Sequence, residues 1–89
     1  MSMVDRWPVE LTISEQERET RADARLALAG DAHLLGHGTA RRNPADPDIT
    51  EVGEKIAVPR ALSDLAHVLL GSAAAELEDI THERARLHL

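Results

Sequence analysis

From Trp7 to Ser14 apolar and polar residues take turns, with Trp7, Val9, Leu11 and Ile13 set against Pro8, Glu10, Thr12 and Ser14. A period of two marks a strand with one buried face, and it predicts a first strand over residues 7–14. Pro8 lacks a donor and fits near a strand start or on an edge. Glu15-Gln16-Glu17-Arg18-Glu19 then breaks the alternation. That stretch holds neither Gly nor Asn, so a two-residue primed turn is disfavoured and a longer connection is predicted. The pattern resumes over 20–28, where Ala22, Ala24, Leu26 and Leu28 oppose Arg21, Asp23, Arg25 and Ala27. Alanine and arginine favour helix, but helical spacing leaves only the thin stripe Ala22, Leu26 and Ala29. The alternation decides for a second strand.

Gly30-Asp31 supplies turn chemistry. A third strand follows over 33–42, with Leu34, Gly36, Gly38 and Ala40 on one face and Leu35, His37, Thr39 and Arg41 on the other. Two glycines in a strand cost backbone entropy. The return predicted here is close approach of another backbone, that of a covering helix over a small-residue face. A bulge is the alternative.

Asn43-Pro44-Ala45-Asp46-Pro47-Asp48 reads as a turn-rich connector. Beyond it, Leu62, Leu65, Leu69, Ala73, Leu77 and Ile80 recur at spacings of three and four, and Arg60, Asp64, His67, Glu76, Glu78 and Asp79 keep the other side polar. This predicts a helix over 59–81. Pro59 is placed at the first helical position, where its missing N–H costs nothing. The alternative is a kinked helix from Glu51, capped by Thr50, in which Pro59 would clash with the Lys55 carbonyl. Gly71-Ser72 offers a second possible break. His82 and Arg84 suit the negative end of the helix, and residues 85–89 are expected to fray or cross to a partner. Such a helix spans about 34 Å and a nine-residue strand about 30 Å, so one helix can lie along a whole meander. The fold class is α+β: a three-stranded antiparallel meander covered on one face by a long C-terminal helix, β-β-β-α, in a single domain over 1–89.

Composition makes that core thin. The chain has 89 residues and one aromatic, Trp7, and much of its 43% apolar content is alanine. A buried Leu or Ile stabilises by roughly 1.5–3 kcal/mol and an alanine by far less, so a second subunit is expected to supply the deficit. A homodimer burying Leu35 or the 87–89 tail would do so. There is no cysteine, which excludes disulfides and thiolate sites. The net charge of −6 lies mostly in residues 46–89, which hold nine acids and four bases, while residues 1–45 hold seven acids and six arginines. Acidity disfavours non-specific nucleic-acid binding, although a local patch can escape the average. No apolar run approaches a membrane span and residues 1–6 lack a signal pattern, so the cytoplasm is expected.

The candidate chemistry is sparse. Ser63 and His67 lie one turn apart, but Asp64 points about 100° away and no oxyanion loop accompanies them. His33 and His37 would be about 13 Å apart on a strand, too far to share an ion, and His82 and His88 have no third ligand. Glu76, Glu78 and Asp79 have no hydrophobic pocket to raise a carboxyl pKa, and Gly36-His37-Gly38 is too short for a phosphate loop. No catalytic residue, cofactor, metal or small-molecule substrate is therefore predicted. The open sheet face is different. Arg21, Arg25, His37, Arg41 and Arg42, flanked by Arg18, form a possible nucleic-acid-contacting patch that could touch phosphates but has no aromatic on which to stack bases. The competing reading is a polar face with internal Arg–Asp pairs.

Several strings occur together in order: Gly36-His37-Gly38-Thr39-Ala40-Arg41-Arg42-Asn43-Pro44-Ala45-Asp46, Val52-Gly53-Glu54, Arg60-Ala61-Leu62-Ser63-Asp64-Leu65-Ala66 and Asp79-Ile80-Thr81-His82. Through them the chain, from Trp7 to His88, resembles a short actinobacterial domain-of-unknown-function family with a double-stranded-RNA-binding-domain-like fold. The resemblance implies a β-β-β-α domain forming intertwined or helix-exchanging dimers. It also implies an association with hypoxia and dormancy, and a shape compared with ribosome hibernation-promoting factors. It carries over no catalytic residues. Pro59, His37 and Arg42 depart from the family pattern, the first at the helix start and the others by making the sheet face more polar. Two functions follow as expectations: a stress- or dormancy-associated protein meeting the ribosome or RNA, or a dimeric protein-interaction or structural module with no nucleic-acid partner.

Overall fold

The computed structural model describes residues 3–43 and 50–87. Three antiparallel strands, β1 (Val9–Gln16), β2 (Glu19–Ala27) and β3 (His33–Arg41), precede one helix, α1 (Thr50–Leu87). The sheet is a meander in the order β1-β2-β3. Val9 pairs with Leu26, Leu11 with Ala24 and Ile13 with Ala22, and the last two continue to Gly36 and Gly38. Side chains alternate across a sheet, so these residues share the face on which α1 lies. The other face carries Glu10, Thr12, Arg21, Asp23, Arg25, His37, Thr39 and Arg41, as the alternation predicts.

The core sits where α1 crosses β2 and β3. Ala22, Ala24, Leu26 and Ala40 from the sheet meet Ala57, Ala61 and Leu65 from the helix. Small residues predominate because the two backbones lie close. A methyl group added at Gly36 would fall 2.5 Å from the Ala61 carbonyl oxygen, and one at Gly38 would fall 2.8 Å from the Arg60 carbonyl carbon. The glycine face of β3 is thus a seat for helix backbone, the return predicted for its entropic cost.

The helix departs from its predicted form in its start, its length and its buried face. It begins at Thr50, beside the Glu51 start held as the alternative, rather than at Pro59, and it extends to Leu87; it passes Gly71 without a break, as a helix continuous over 59–81 requires. An interior proline removes a backbone hydrogen bond and costs about 3 kcal/mol or more. Packing of the preceding turns outweighs that cost: Gly53 abuts the Thr20 side chain, and Ala57 is wholly buried over Gly38. The buried line is Ala57, Ala61 and Leu65, flanked by Val58 and Leu69. Leu62, Leu77 and Ile80 of the bulky stripe stay exposed: Leu62 stands off the buried line, and Leu77 and Ile80 lie in the stretch from 73 to 82 in which every residue is exposed.

The β1–β2 connection also differs. Gln16 pairs with Glu19, leaving a two-residue turn in which Glu17 takes φ 56°. The eight-residue ladder behind it outweighs the roughly 1–2 kcal/mol of one left-handed residue. The predicted burial of the β1 apolar row does not occur. Val9, Leu11 and Ile13 remain 43%, 41% and 41% exposed, because α1 packs on β3 and β2 and barely reaches β1. Expectations for the 44–49 connector, and for side chains beyond residue 82 including the 87–89 tail, concern positions outside the described residues.

Candidate functional site

Strand register gathers the predicted patch on the outer sheet face. Across β2 and β3, Glu19 faces Arg41, Arg21 faces Thr39, Asp23 faces His37 and Arg25 faces Leu35. Most of these charges are paired where they stand. Asp23 accepts from His37 Nδ1 at 2.6 Å and from Arg21 Nε at 3.2 Å. The His37 hydrogen bond, supported by Arg21, holds the Asp23 carboxyl below its usual pKa. Arg25 Nη2 lies 3.3 Å from both ring nitrogens of His33. Arg21, Arg25, His37 and Arg41 therefore share a face, with Asp23 and Glu19 set among them. A phosphate reaching Arg21 or His37 must compete with the Asp23 carboxylate.

The turn end of the sheet is more basic. The Arg42 N–H donates to the Arg18 carbonyl at 2.8 Å and ties the β1–β2 turn to the end of β3. Arg18, Arg21, Arg41 and Arg42, with Glu17 and Glu19, line an open hollow of about 960 Å³. Sequence reasoning placed Arg18 only as a flank. The signal was the pair of basic positions at Arg18 and Arg42, and the unrecognised two-residue turn concealed their convergence.

The two sheet edges are treated differently. On the β3 edge, the His37 N–H donates to Asp64 Oδ2 at 2.8 Å, and Arg60 Nη1 donates to the Thr39 carbonyl at 2.8 Å. Helix side chains thus occupy outward backbone groups that would otherwise pair with another strand. On the β1 side, the Ala27 N–H donates to the Pro8 carbonyl at 3.2 Å. Antiparallel alternation then turns the N–H and C=O groups of Val9, Leu11, Ile13 and Glu15 to the free edge. No hydrogen bond of the described residues closes that edge, and the exposed apolar row stands beside it.

The helical Ser63, Asp64 and His67 do not form a relay. Asp64 serves the His37 amide, and His67 Nδ1 donates to the Ser63 main-chain carbonyl at 2.8 Å. Among the described residues no group of three His, Asp or Glu side chains is placed to hold a metal, and no helix is long and apolar enough to cross a membrane.

The model of the Rv2632c-like family matches residues 5–86. The chain belongs to the Rv2632c-like family. Uncharacterized proteins Mb1767 of Mycobacterium bovis and MT1780 of Mycobacterium tuberculosis are each 42% identical to it over 85 residues, covering 96% of this chain and 89% of the relative. Uncharacterized protein Rv2632c of Mycobacterium tuberculosis is 40% identical over 75 residues, covering 84% of this chain and 80% of its own. The crystal structure of Rv2632c matches the fold with a TM-score of 0.82 at 36% identity, over 91% of this chain and 95% of that one. On this Rv2632c-like chain the surfaces of interest are the open β1 edge, the paired outer face and the basic hollow.

Proposed function

We propose that this Rv2632c-like protein is a non-enzymatic interaction module that works as a homodimer joined through β1. The observation that carries the reading is the contrast between the two sheet edges. Helix side chains engage two outward groups at the middle of β3, the His37 N–H and the Thr39 C=O, while β1 presents unpaired backbone groups beside Val9, Leu11 and Ile13. An open, apolar edge strand is a template for another strand. A second copy of β1 laid antiparallel makes a self-complementary contact and unites the two meanders in one sheet. The core argues the same way, since Leu26 and Leu65 are its only buried leucines among the described residues. A small domain with so little buried bulk gains most from association. Sedimentation equilibrium at micromolar concentration tests the reading. The wild type is expected at twice the 9.7 kDa chain mass, and folded Leu11→Glu at the chain mass. A wild type found only as a monomer overturns it.

A second reading, a cytoplasmic stress- or dormancy-associated protein that meets the ribosome or RNA, is supported by the family resemblance set out above and by the arginines of the turn-end hollow. The net charge of −6 and the engagement of Arg21 and His37 by Asp23 weigh against it. Contact would be made to phosphates, because the outer face carries no aromatic. Affinity on a single strand should then fall with salt by a log–log slope of about −0.7 per phosphate contacted. In ribosome co-sedimentation at low salt, Arg25→Ala and Arg41→Ala should each weaken binding. Absence of binding at low salt leaves the interaction module alone.

A further inference from the structure

On a chain of net charge −6, four guanidinium groups gather at one end of the sheet. Gln16, Glu19 and Arg41 form one cross-strand row on the outer face, and Ser14, Arg21 and Thr39 form the next. The Glu17-Arg18 turn closes the hollow, held to β3 by the Arg42 N–H bond. Glu17 and Glu19 offset two of the four positive charges lining it, and Asp23 engages Arg21 at 3.2 Å. The hold on Arg41 and Arg18 is loose. Arg41 lies 3.9 Å from Glu19 and is 83% exposed, and Arg18 makes no ion pair among the described residues. Glu17 occupies φ 56°, and neither its amide nor that of Arg18 donates to another backbone group. Successive amides around a left-handed residue make a concavity suited to anions, and backbone strain retained by a side-chain-bearing residue clusters at ligand sites.

We propose that this hollow binds a small oligophosphate anion, held chiefly by Arg18 and Arg41 with Arg21 and Arg42 in the lining. Guanidinium groups match phosphate oxygens in paired hydrogen bonds. The arginines come from the turn, β2 and the end of β3, so an anion of several phosphate groups can meet more than one of them at once. The hollow, about 960 Å³ and open to solvent, leaves room for such an anion. The lining holds no aromatic to stack a base, so recognition falls on the phosphates. This site uses the sheet face away from the helix and does not depend on β1 dimerisation.

The test is titration of the full-length protein with sodium tripolyphosphate at low salt, followed through backbone amide NMR signals, with sulfate at equal ionic strength as control. Tripolyphosphate should shift the amides of Glu17, Arg18, Glu19 and Arg41 and sulfate should leave them in place. The double variant Arg18→Gln with Arg41→Gln should bind at least tenfold more weakly, while Arg25→Gln, elsewhere on the same face, should bind as the wild type does. The amide spectrum of each variant reports its folding. A short single-stranded RNA forms the competing arm. Tripolyphosphate binding lost in the double variant upholds the site whether or not RNA also binds. Binding of RNA without tripolyphosphate overturns it in favour of a nucleic-acid surface. Absent shifts, or shifts weakened equally by Arg25→Gln, also overturn it.

Discussion

Gly36 and Gly38 lie under the helix backbone, where a side chain on either would meet main-chain atoms of Arg60, Ala61 or Leu65. Overpacking a core costs typically about 1–3 kcal/mol, and main chain yields less readily than a side chain. Gly36→Ala and Gly38→Ala should each fall at or beyond the upper end of that range in urea unfolding. Gly71 faces open space, so Gly71→Ala should instead gain about 1 kcal/mol of helix propensity. Opposite signs are the check on this assignment of roles. At Asp23 the contribution is electrostatic. Its folded pKa is lowered by His37 and Arg21, so its contribution is present above the unfolded carboxylate pKa, about 4, and is lost as pH falls through the folded value. Asp23→Asn should melt below the wild type at pH 7, and the gap should narrow as the pH falls below the unfolded carboxylate pKa. A gap unchanged by pH would contradict the pairing.

At the scale of elements, the meander and its covering helix were legible because period two and period 3.6 differ plainly. So was the purpose of the glycine row, since small residues on a strand face leave room for another backbone. The helix start was legible only as the alternative, a start at Glu51 capped by Thr50. Pro59 is a strong local start signal, and only the packing of Gly53 against Thr20 and Ala57 over Gly38 reveals why the helix continues through it. Pro59→Ala should restore one backbone hydrogen bond and raise stability by about 1–3 kcal/mol, with helix content by circular dichroism unchanged. A fall in stability would mean that the proline sets the helix direction needed for the sheet contact. The β1 row shows a different limit: alternation says that Val9, Leu11 and Ile13 share a face, but not that a helix covers it. The pairing of Arg21 and His37 with Asp23, and the convergence of Arg18 with Arg41, depend on cross-strand register. That register in turn depended on a turn lacking the usual Gly or Asn.

At the scale of the molecule, the extents are 64 × 33 × 21 Å, set by a helix much longer than the sheet. The 38 residues of α1 span roughly 57 Å, about twice a nine-residue strand. From residue 73 to residue 82 every side chain is exposed, and Leu70, Leu77 and Ile80 lie at spacings of seven and three along the overhang. Together with β1 this gives two uncovered apolar surfaces on one small chain, and the homodimer proposed above uses the first of them, the open β1 edge. The most direct test is hydrogen exchange on the full-length protein at concentrations well above and well below its dissociation midpoint. The β1 reading predicts that the outward amides of Val9, Leu11, Ile13 and Glu15 slow as concentration rises, while the His37 amide, bonded to Asp64 within the chain, keeps its rate. Exchange in β1 that is the same at every concentration would contradict it.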